Sequence, residues 1–144
     1  MRAACDGAGV ALVPVIAPTT ADDRIVALTV RARGFVYVAS VSGVTGERAV
    51  LDARVAARIG RARRTSTVPV ALGFGISTPE LAAEAATAGA DGVIVGSRLV
   101  RAATEAADPP AAVRDLVGRF STALRGCSRL VATPRLGDGR RVAV

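Results

Sequence analysis

The sequence contains no His, no Trp and no Lys, only two Cys, and a single Tyr beside three Phe. Each scarcity closes off a chemistry. Without imidazole, Ser-His-Asp and Cys-His nucleophilic schemes lack their usual base. Cys5 and Cys127 lie near opposite ends, so no Cys/His cluster has metal-ligand spacing, no metal is expected, and the two thiols read as isolated. The longest apolar stretches, residues 10–18 and 90–95, fall far short of the roughly 20 residues that cross a bilayer. The opening residues offer one Arg and no apolar core of signal-peptide type, so a cytoplasmic location without a membrane partner is the expectation.

What is present is a chain of 144 residues, 51% hydrophobic, which suits one domain with a real core. The net charge is +7 and every basic residue is Arg, a side chain whose fork matches phosphate. An Arg-driven nucleic-acid binder is therefore one alternative. Against it stand the scarcity of aromatic stacking platforms and the lack of any nucleic-acid motif.

Apolar β-branched runs at residues 10–17, 35–40, 68–72 and 93–95 lack the alternation of half-exposed strands and read as buried parallel strands. Helical segments separate them. Residues 20–31 place Ile25, Leu28 and Ala32 at helical spacing, with Thr20 as a possible cap and Asp22 and Asp23 in the first turn. Residues 47–61 carry Leu51, Val55 and Ile59 on one face and Arg54, Arg58 and Arg61 on another, most simply a solvated one. Ser77-Thr78-Pro79-Glu80 is a helix start in which either hydroxyl can cap and Glu80 can complete a box with Ser77; Gly89 ends that helix. A last helix spans about residues 110–124, with Val113, Leu116, Val117 and Phe120 as its apolar stripe. Residues 1–126 thus form one unit and residues 127–144 an irregular basic tail. The cadence is α/β, with four strand-helix units. That is half of a (β/α)8 barrel, which needs about 250 residues, or a small open sheet.

Three glycine-containing loops follow strands, at the end of a parallel sheet where ligands bind. Ser42, Gly43, Val44, Thr45 and Gly46 suit a mobile lid. Gly73-Phe74-Gly75-Ile76-Ser77 lets backbone amides approach an anion, and Gly96-Ser97 opens onto a short helix start whose amides can face the same anion. Singly, each glycine is ordinary turn chemistry. In order, Gly34-Phe35-Val36-Tyr37, Ser42-Gly43-Val44-Thr45-Gly46, Gly73-Phe74-Gly75-Ile76-Ser77-Thr78-Pro79-Glu80 and Ala90-Asp91-Gly92-Val93-Ile94-Val95-Gly96-Ser97 resemble the sixth to eighth strands of the tryptophan synthase alpha family, and Ile16-Ala17-Pro18-Thr19 looks like the end of its fifth.

The resemblance, from about residue 8 to 125, implies the C-terminal (βα)4 half of a TIM barrel. It implies a carbon-oxygen lyase system whose alpha chain splits indole-3-glycerol phosphate into indole and glyceraldehyde 3-phosphate by a retro-aldol, aldolase-type half reaction. It further implies an alpha2beta2 assembly in which the beta chain, not this one, carries pyridoxal phosphate. By carry-over Gly73, Gly75, Gly96 and Ser97 hold the substrate phosphate, Tyr37 is the one aromatic offered to indole, and Thr45 belongs to the lid. The family's general acid/base Glu and indole-binding Asp have no counterpart here, since Met1 aligns within the fourth helix. Asp22, Asp23 and Glu80 fall at helix starts, where capping is expected, and Asp91 should lie at the opposite, stabilising end of the sheet. The chain therefore reads as a fragment or split piece that needs a separate N-terminal alpha half. The alternative is a non-catalytic half barrel that binds a phosphate compound or a beta-type partner.

Overall fold

The computed structural model describes residues 2–40 and 51–127. After a short helix α1 (Arg2–Gly7) the order is β1 (Val15–Ile16), α2 (Asp22–Thr29), β2 (Val36–Ala39), α3 (Ala53–Thr65), β3 (Val70–Gly73), α4 (Pro79–Thr87), β4 (Gly92–Ile94), α5 (Ser97–Glu105) and α6 (Pro109–Cys127). The strands form one parallel sheet in the order β1-β2-β3-β4. All four expected units are there. Both outer strands keep one edge unpaired among the described residues, as half of a barrel requires.

Register divides the sheet into two unlike faces. Ile16 pairs with Val38, Val36 with Val70, and Val38 with Leu72, and all five of these side chains are fully buried. They share a core with Ile25 of α2, Val55 and Ile59 of α3, Leu81 and Ala85 of α4, and Leu116 and Phe120 of α6. The alternate residues, Val15, Tyr37, Ala71 and Ile94, turn to the other face and stay exposed or half-buried, because no helix among the described residues covers it.

Local chemistry explains the boundaries. β1 is two residues rather than the eight expected, since Pro14 has no N–H to give and the strand has one neighbour only; Pro14 O still accepts from Tyr37 N at 3.0 Å. Thr20 does not cap α2. Its Oγ1 accepts instead from Ala17 N at 2.9 Å, and Ala21 stands at the N-cap without a side-chain bond. Asp22 does not cap either, but pairs with Arg61 across to α3. For α4 the extended residue is Thr78, which accepts from Leu81 N at 3.3 Å; Glu80 then stands at the second helical position, one short of the place a capping box with Thr78 needs. Gly89, at φ 99°, takes the left-handed turn that closes α4, and Ala90 N reaches back to Ala85 O at 3.0 Å.

Two further expectations are refined. The Arg face of α3 is not simply solvated: Arg58 is half-buried, its Nη1 reaches Pro18 O at 3.4 Å, and its buried Nε has no partner among the described residues. Asp91 lies at the sheet end away from the glycine loops, as expected, and brackets Val70: its N–H donates to Val70 O, its Oδ2 accepts from Val70 N, both at 2.8 Å, and Oδ1 meets Arg63 at 3.2 Å. The tail from residue 128 and the lid residues Ser42, Gly43, Val44, Thr45 and Gly46 lie outside the described residues.

Candidate phosphate and aromatic pocket

The ends of β2, β3 and β4 and the start of α5 enclose a cavity of about 250 Å³. Tyr37, Phe74, Ile76 and Ile94 make its apolar side; Gly75, Ser77, Gly96, Ser97, Arg98 and Arg101 make its polar side. Of the residues singled out from sequence, Tyr37, Gly75, Gly96 and Ser97 therefore meet around one space. No Asp or Glu lines it among the described residues.

The polar end is an uncapped helix start. Gly96, the N-cap of α5, has no side chain to offer, and the first turn holds no acid. Leu99 N and Val100 N both bond back to Gly96 O, at 2.9 and 3.1 Å, while the amides of Ser97 and Arg98 have no acceptor among the described residues. Free amides at the positive end of a helix are an anion site in waiting. Across the cavity, Gly75 sits at φ 78°, and a Cβ there would meet Ser40 Oγ at 3.3 Å. Ser40 ties the loop down, its N–H donating to Gly73 O at 3.0 Å and its hydroxyl to Phe74 O.

Gly73, carried over as a phosphate contact, has a structural reason of its own to be Gly. It does not line the cavity. It faces Tyr37 across the strand pair, and a Cβ on it would run into the phenol ring, so its bareness is what gives Tyr37 room.

Tyr37 is also not the sole aromatic. Phe74, held at φ 62° and 64% exposed, stands edge-on to Tyr37 with ring centroids 5.5 Å apart and planes at 66°. A positive φ at Phe is uncommon and costs energy, so its persistence between two glycines marks a constrained, working loop. Its flanks, Gly73 and Gly75, were the only signal available in the sequence. Arg98 and Arg101, which line the cavity as well, were not singled out from sequence.

Burial pushes the Tyr37 phenol above its ordinary 10.0, and a backbone hydrogen bond at Phe74 pulls it part of the way back. The folded state thus favours the neutral phenol; stability present at neutral pH is lost as pH climbs past 10.0 through the folded value. Because the chain has one Tyr and no Trp, phenolate absorbance reports this residue alone. Its midpoint in the folded chain should exceed that in denaturant; coincident midpoints would mean the ring is not buried as described.

The tryptophan synthase alpha chain family model matches residues 1–124. The chain is 44% identical over 126 residues to the tryptophan synthase alpha chain of Lactiplantibacillus plantarum, covering 88% of this chain and 47% of that relative. It is 50% identical over 105 residues to that of Phenylobacterium zucineum, covering 73% of this chain and 38% of the relative. Among solved structures, Mycobacterium tuberculosis tryptophan synthase superposes with a TM-score of 0.71 at 37% identity, over 85% of this chain and 45% of that one. The alpha subunit from Pyrococcus furiosus gives 0.71 at 30% identity, over 81% and 47%. The chain spans less than half the length of these relatives. With four parallel βα units and this extent of match, it is half of a TIM barrel and belongs to the tryptophan synthase alpha chain family.

Proposed function

We propose that the chain supplies the phosphate-holding half of a site that cleaves indole-3-glycerol phosphate to indole and glyceraldehyde 3-phosphate. The observation that carries this is the two-ended cavity, with free amides at one end and an aromatic pair at the other. The substrate phosphate rests on the amides of Ser97 and Arg98 and beside Gly75. The indole ring lies against Tyr37 and Phe74.

In the retro-aldol step the bond between the indole carbon and the glycerol phosphate carbon breaks, a hydroxyl proton leaves, and a proton returns to the indole ring. Those transfers need a carboxylate, and none of the described residues brings one to the cavity. The acid/base Glu and the indole-orienting Asp therefore come from the other half of the barrel. The chain itself needs no cofactor or metal in this reading; pyridoxal phosphate belongs to a beta-type partner in an alpha2beta2 assembly, and the setting is cytoplasmic.

Loss of the acid/base group alone is worth about a hundredfold to ten-thousandfold, and loss of half the indole wall adds an orientation penalty. The isolated chain should release no measurable indole. Mixed with the N-terminal half of an alpha chain it should do so. Turnover by the isolated chain, or a stable complex of the two halves that releases none, would overturn the proposal.

A further inference from the structure

We propose that Arg98 and Arg101 form a second anion subsite beside the phosphate cradle, so that the pocket takes a diphosphate group. The inference rests on the phosphate reading above and extends it to a ligand class with more charge. Arg98 and Arg101 both line the cavity, and their spacing of three places them on one face of α5. Both stand in the first turns of that helix, where the macrodipole disfavours cations, and they also repel each other. Among the described residues little nearby relieves this. The first turn of α5 has no acid, Arg98 has no ion pair among the described residues, and Arg101 has only Glu105, with Nε and Oε1 at 4.0 Å and both side chains mostly exposed.

Three arginines elsewhere meet a carboxylate more closely: Arg33 with Asp6, Arg61 with Asp22 and Arg63 with Asp91. Two cations that line one cavity with no close ion pair among the described residues are a local conflict of the kind that a ligand resolves. One phosphoryl group satisfies the amides of Ser97 and Arg98. From residue 97 to residue 101 the helix advances about 6 Å, a distance that a second, linked phosphoryl group and the long Arg side chains together bridge. There each guanidinium can donate two hydrogen bonds to phosphoryl oxygens.

The test is calorimetric titration of the full chain with inorganic phosphate and with inorganic pyrophosphate at one fixed ionic strength. Pyrophosphate should bind about tenfold or more tightly than phosphate. Arg98→Gln and Arg101→Gln should each erase most of that preference, Arg101→Gln while changing phosphate affinity by less than about threefold, and Arg54→Gln, at an exposed position of α3, should keep it. Equal affinities in the wild-type chain would overturn the subsite, as would a preference that survives both substitutions or falls equally with Arg54→Gln. Failure of phosphate itself to bind would instead remove the phosphate reading beneath it. Unchanged helical circular dichroism in each variant excludes misfolding as the cause.

Discussion

Replacing Gly73 with Ala is expected to destabilise the chain by about 1–3 kcal/mol and to disorganise the aromatic end of the pocket. The added Cβ would occupy space that the Tyr37 phenol already fills, and the nearest approaches are to Oη and Cζ rather than to a flexible tip. Any retreat of the ring is into the cavity that it lines. Its position is fixed from one side by the β2 backbone, paired in register with Ala71, and from another by Phe74. Chemical denaturation of Gly73→Ala, of Tyr37→Ala and of the double variant isolates the collision. The two losses should fail to add, with the second substitution restoring most of what the first removed, a coupling of about 1 kcal/mol or more. Strict additivity would mean that Gly73 and Tyr37 do not meet.

A still larger loss of stability is expected from Leu72→Ala. Leu72 is fully buried at the centre of the sheet, flanked in register by Val38 and Val93, and belongs to the cluster shared with α3, α4 and α6. Truncation there removes apolar burial and leaves a void that flanking strands cannot close, a combination worth about 2–5 kcal/mol. Since a domain's whole stability is about 5–15 kcal/mol, much of the population should unfold under mild denaturant. Val15→Ala serves as the contrast. Val15 is 55% exposed on the opposite face, so its truncation should cost well under 1 kcal/mol. If Leu72→Ala unfolds no more readily than Val15→Ala, the helix layer does not pack as described.

Much of the fold was legible because its signals are local. Runs of β-branched residues around Val36 and Val70, the Pro79 helix start and the Gly89 stop each report chemistry that acts within a few residues. The glycine loops were legible for the same reason, since Gly75 and Gly96 announce their backbone freedom wherever they stand. What escaped was decided at a distance. Thr20 turned back to Ala17 instead of capping α2, and Asp22 found Arg61 on the next helix, a choice that no periodicity in α2 encodes. The room that Gly73 leaves for Tyr37 was not legible, because Tyr37 lies a loop and a helix earlier in the chain. Phe74 was passed over because a large apolar side chain at positive φ contradicts its intrinsic preference, and only the tertiary setting makes that conformation hold.

The division of the sheet into a helix-covered face and an open one has a bearing on how such a half barrel can change over time. Within β2 the odd and even positions serve separate masters: Val36 and Val38 keep the helices attached, while Tyr37 between them shapes what the pocket admits. Substitutions on the open face can therefore alter which molecule is accepted without loosening the layer that keeps the chain folded, even though the two kinds of residue alternate along one four-residue strand.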